Sequence, residues 1–139
     1  MNVRSCGTRR APSGPLSRFF TDLFTWPSPA WDGQLGAGHV VEVPFVFGTL
    51  DAPDAQDLVP AGTAPAGLTE RMQDAWVAFA RTGSPQTAAL ADWEPYTVPR
   101  RCTMVLGTDC AAVDAPREAE RRFWAAHTAA PAARPVVVG

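Results

Sequence analysis

Fourteen prolines are scattered through the 139 residues, about twice ordinary usage, and they limit what this chain can fold into. Each fixes its own φ, lacks an N–H donor and biases the preceding residue away from helix. Spread as they are, they imply many turns and loop entries between short elements, and not a polyproline tract. Apolar residues nevertheless make up 46% against 19% charged, enough for a buried core, and the length suits one domain. The formal net charge of −2 gives no electrostatic basis for binding nucleic acid or an anionic membrane surface.

No run approaches the ~20 apolar residues of a membrane span. Arg4, Arg9 and Arg10 are not followed by the apolar stretch of a secretory signal. Cys6, Cys102 and Cys110 have no metal-ligand spacing. A Cys102–Cys110 bridge across a hairpin is conceivable, but reduced thiols are the preferred reading and place the chain in the cytoplasm.

Residues 1–18 are rich in Arg, Ser, Gly and Pro and should carry little order. Phe19 through Trp26 is aromatic and β-favouring, and Pro27-Ser28-Pro29 ends it, so a strand covered on both faces is expected. Residues 30–38 form a glycine-bearing loop. The dense apolar stretch from Val40 to Gly48 reads equally as strand or as loop with one helical turn, because Pro44 interrupts it. Residues 49–67 read as a surface connection. A helix is expected over 69–82, with Leu68, Met72, Ala75, Trp76 and Phe79 on one face and Gly83 and Pro85 stopping it. Residues 86–100 read as loop and 102–106 as a short strand ended by Gly107. A last helix over about 115–127, N-capped by Asp114, should pack on the sheet.

His39 is one of two histidines. It sits between a glycine-rich loop and a packed apolar segment, where a side chain can be aimed and held. On residue type alone, a histidine satisfying a local hydrogen bond is the commoner explanation. His127 suits the C-terminal end of a helix as a cation. Glu42 follows His39 by three, but two ligands make a poor metal site and none is expected. The G-x-S-x-G, G-x-x-x-x-G-K-[ST] and G-x-G-x-x-G patterns are all absent.

The stretch Phe24-Thr25-Trp26-Pro27-Ser28-Pro29-Ala30, followed by Leu35 through Gly48 (LGAGHVVEVPFVFG), resembles the C-terminal part of type-B carboxylesterases, the family of para-nitrobenzyl esterases and cholinesterases. Its histidine motif, roughly G-x-x-H-x-x-E-[LIV]-x-F-V-F, matches at His39, Glu42, Phe45, Val46 and Phe47. Met72 through Pro85, Trp93-Glu94-Pro95-Tyr96, and Arg101 through Met104 with Arg121 through Trp124 resemble later blocks of the family in the same order. The likeness covers about residues 20–127; residues 1–19 are non-homologous or disordered, and 128–139 a flexible tail. Asp22 stands where the family usually carries an aromatic.

The resemblance implies an α/β fold, specifically the C-terminal fragment of an α/β-hydrolase with a few strands, packed helices and long loops. It implies carboxylic-ester hydrolysis through an acyl-serine, no cofactor and a small-molecule ester as substrate. His39 would be the triad histidine. Glu42 would be a buried residue steadying the histidine loop, and not the triad acid. Trp26–Trp31 and Phe45–Phe47 would shape a pocket beside the histidine, and no specific substrate-binding residue follows. In this fold the triad runs Ser, acid, His, yet only 38 residues precede His39 and they hold no serine elbow. The expectation is therefore an esterase tail carrying one triad member, whose partner is the missing N-terminal part. The alternative is a non-catalytic remnant or interaction fragment. His39 should face a cleft, and Val43, Phe45, Phe47, Trp76 and Phe79 should lie uncovered.

Overall fold

The computed structural model describes residues 18–128. The expectations for Cys6, for most of the N-terminal segment and for nearly all of the tail lie outside these residues. Three strands form one mixed sheet in the order β1-β2-β3, where β1 is Asp22–Phe24, β2 is Cys102–Leu106 and β3 is Ala111–Asp114. β1 runs parallel to β2 with Asp22 opposite Met104, and β2 runs antiparallel to β3 with Cys102 opposite Asp114. Four helices accompany it: α1 (Val43–Phe47), α2 (Pro53–Gln56), α3 (Leu68–Thr82) and α4 (Glu118–Thr128).

β1 is shorter than its aromatic run suggests because side chains and loops take its flanking backbone groups. The Phe19 carbonyl accepts the Tyr96 N–H at 2.6 Å, and the Thr21 carbonyl accepts both the Met104 N–H and the Trp93 indole N–H. The strand is half-buried or exposed rather than covered on both faces. Among the described residues its outer edge pairs with no strand. β3 has no counterpart among the sequence expectations because Ala111-Ala112 carries little β signal. Its last residue is Asp114, which ion-pairs with Arg100 at 3.3 Å and so is a strand end, not the N-cap of α4.

The core gathers Trp26, Val41, Phe45, Leu68, Met72, Ala75, Trp93, Met104 and Leu106. α3 buries Leu68, Met72 and Ala75 at helical spacing, and Gly83 caps it in the left-handed region with its N–H on the Phe79 carbonyl at 2.8 Å. α1 resolves the ambiguity of the 40–48 stretch. Pro44 takes one of the first helical positions, where its missing N–H costs nothing, and Gly48 ends the helix at φ 64. A Cβ at Gly48 would stand 2.6 Å from the Gln73 amide nitrogen, which shows how closely α1 approaches α3.

Two packing expectations are corrected. Phe45 is fully buried, wedged against Phe24 and Trp26 at ring distances of 5.5 and 5.4 Å, so it is not one of the uncovered residues. Val43, Phe47, Trp76 and Phe79 are exposed as expected. α4 buries no residue at all, so it is not a helix packed on the sheet. Its side chains pair by charge instead: Glu118 receives Arg121 at 2.7 Å and Arg122 at 3.0 Å, and these hydrogen bonds hold its carboxyl down at about 2. That clamp is present above the ordinary glutamate range and is lost as pH falls through about 2.

Candidate active site

His39 sits in a tight turn closed by the Val41 N–H on the Gly38 carbonyl at 3.4 Å. Gly38 is needed there because a Cβ would meet the Leu35 carbonyl oxygen at 2.8 Å. Val40 holds φ at 67°, a region that β-branched residues avoid and that persists only where surrounding structure enforces it. The enforcement is visible on both sides. Val41 is completely buried, and the Val43 N–H returns to the Val40 carbonyl at 3.1 Å. Upstream, the Ser28 N–H reaches the Gly36 carbonyl at 3.0 Å, and the buried Ser28 hydroxyl donates to the Leu58 carbonyl. A strained turn is thus pinned between β1 and α1, and the imidazole of His39 projects from it, exposed.

No side chain among the described residues hydrogen-bonds to His39. Ser28 lies in the same loop region, but its hydroxyl is committed to Leu58 and to the Ala30 N–H. Glu42 is half-buried, which corrects the expectation of a buried residue, and it makes no side-chain hydrogen bond within the described residues. Its backbone carbonyl opens α1, accepting the Phe45 and Val46 N–H groups at 3.1 Å each. His127 is remote in role: its Nδ1 lies 2.6 Å from the Phe123 carbonyl within α4 and its ring stacks on Phe123. No group of three His, Cys, Asp or Glu residues comes together among the described residues.

The pocket expected beside His39 is not built by the residues proposed for it. Trp26 and Phe45 belong to the core, and Trp31 and Phe47 are solvent-exposed. A cleft of about 190 Å³ instead opens between β1 and α3, lined by Phe20, Asp22, Ala75, Trp76, Phe79, Pro85 and Trp93. His39 is not in its wall. Asp22 is exposed as a residue and lines this aromatic cleft, and lost hydration of its carboxyl pushes its pKa above the usual carboxylate range. Its own backbone hydrogen bond opposes that rise, and the negative charge of Glu42 adds to it. The sequence signal for this feature was Asp22 itself, an acid within an aromatic run.

Cys102 and Cys110 both remain thiols. No described helix is long and apolar enough to cross a membrane.

No family model matches the chain. Among curated proteins it is 35% identical over 107 residues to the phenmedipham hydrolase of Pseudarthrobacter oxydans, covering 75% of this chain and 21% of that protein. It is 35% identical over 86 residues to the para-nitrobenzyl esterase of Bacillus subtilis, covering 62% of this chain and 17% of that protein. A solved PNB esterase superposes with a TM-score of 0.64 at 30% identity, over 74% of this chain and 21% of its own. The chain therefore spans about a fifth of the length of the relatives it matches. These neighbours have the α/β-hydrolase fold, of which the present chain shows a few strands and helices.

Proposed function

Because this chain belongs, over the matched part of its length, to the type-B carboxylesterase family, we propose that it supplies the general base of a serine carboxylic-ester hydrolase. The observation that carries the reading is the pinned turn at 38–41, which holds an exposed imidazole with no partner among the described residues. A side chain held rigidly and left unsatisfied is suited to receive a proton from a group on another segment.

In the reaction, the oxygen of a serine elsewhere attacks the ester carbonyl carbon while its proton passes to His39. The tetrahedral adduct collapses, the bond to the alcohol oxygen breaks, and His39 returns the proton to the departing alcohol. Water then repeats the sequence on the acyl-serine and releases the acid. Glu42 opens α1 through its main chain and is not the carboxylate that orients the imidazole. Residues 20–127 form the esterase portion of the chain, the substrate is a small ester, and the segment bearing serine, acid and oxyanion donors packs against the open edge of β1. The thiols of Cys102 and Cys110 agree with a reducing compartment such as the cytoplasm.

A non-catalytic remnant is the competing reading, favoured by the absence of a G-x-S-x-G elbow from these 139 residues. The two are separated by a chimera in which this chain replaces the matching segment of the Bacillus subtilis para-nitrobenzyl esterase. The chain alone should hydrolyse nitrophenyl acetate at the buffer rate and resist fluorophosphonate labelling, while the chimera turns over the ester and is labelled. A folded chimera without turnover favours the remnant. Saturable hydrolysis by the chain alone, abolished by His39→Ala, contradicts the need for an external serine.

A further inference from the structure

The cleft between β1 and α3 is explained neither by the core nor by the chemistry assigned to His39. Its walls are two aromatic pairs that brace each other: Phe20 against Phe79, edge-on at 6.0 Å, and Trp76 against Trp93 at 6.2 Å. Trp93 is buried and its indole N–H is tied to the Thr21 carbonyl at 3.2 Å, so that wall is fixed. Trp76 and Phe79 are 36% and 47% exposed and leave the cleft open to solvent. Asp22 lines the cleft from β1, where pairing with Met104 sets its backbone.

Among the described residues Asp22 forms no ion pair and its carboxyl bonds to no other side chain; its own backbone N–H is its hydrogen-bond donor, and the charged group that acts on it is Glu42, of the same sign. A carboxylate with no counter-ion beside aromatic rings presents negative potential from two sources, the charge itself and the ring faces. An anion is repelled there, and a neutral polar molecule leaves the carboxylate uncompensated. At about 190 Å³ the space lies below the ~300–1,000 Å³ of drug-sized pockets, so the ligand must be small.

We infer that this cleft binds a small organic ammonium, a primary amine on a compact apolar body, with the ammonium on Asp22 and the body against Trp76, Phe79 and Trp93. The inference does not depend on ester hydrolysis, and either can fail without the other.

Benzylamine and benzyl alcohol share a ring and differ at the charged head, which makes them the test pair. Each is titrated into the full 139-residue chain while tryptophan fluorescence is followed. Benzylamine should bind saturably and at least about tenfold more tightly than benzyl alcohol. Asp22→Asn should remove that preference and leave alcohol binding unchanged. Phe79→Leu, at a partly exposed position, should weaken the amine several-fold while the thermal melt stays in place. Equal affinity for both probes, no saturable amine binding, or undiminished amine binding by Asp22→Asn overturns the proposal.

Discussion

Phe45→Ala removes cooperative unfolding from this chain, whereas Phe47→Ala, two residues away on the same short helix, shifts its urea midpoint little. Phe45 is fully buried between Phe24 and Trp26 and joins α1 to the end of β1. Truncating such a phenylalanine costs about 3–5 kcal/mol, transfer and cavity contributions combined. A whole domain holds only about 5–15 kcal/mol, and this one leaves Val43, Trp76 and Phe79 in solvent. Phe47 is 70% exposed, and surface changes of that kind stay within about 0.5 kcal/mol. Urea denaturation followed by tryptophan fluorescence compares the two variants. Equal effects would mean that α1 is not wedged into the core as described.

The second large effect concerns His39. In the chimera, His39→Gln should lower kcat for nitrophenyl acetate by about ten-thousandfold or more with KM little changed, the pattern of a lost general base. Glu42→Gln should cost less than about tenfold and leave the pH profile of kcat/KM in place, because the bonds Glu42 makes are from its backbone carbonyl to α1, which the substitution retains. A loss from Glu42→Gln as large as that from His39→Gln would make Glu42 the carboxylate that orients the imidazole.

Much of this architecture is legible in the residues, and the exceptions have physical causes. α3 declares itself through Leu68, Met72 and Ala75 at helical spacing and through Gly83 at its end, since periodicity and a left-handed cap are local properties. β2 is legible as a β-branched and apolar run stopped by glycine. α1 could not be separated from strand because five apolar residues carry no period, and only tertiary contact with α3 decides between them. β3 was invisible for the opposite reason: Ala111 and Ala112 have no preference, and pairing with β2 alone makes them a strand. α4 shows helical spacing, yet its Phe123 and Trp124 remain in solvent, because a pattern records which face is apolar and not what covers it.

The site was legible in a similar, uneven way. His39 stands out through family resemblance, not through its immediate chemistry, since a lone histidine after glycines has many explanations. The strained φ of Val40 and the close approach of Gly38 to Leu35 are backbone facts that residue identities only hint at. The cleft at Asp22 needed residues far apart in the chain, Phe20 and Trp93 among them, to be brought together by the sheet.

The central claim is that His39 serves a serine carried on another segment, and the distance between those two side chains tests it most directly. A crystal structure of the active chimera should place His39 Nε2 within hydrogen-bond reach of the elbow serine Oγ, about 2.6–3.2 Å. A different histidine at that serine, with His39 turned to solvent beyond about 6 Å, a separation no direct proton transfer spans, would contradict the account.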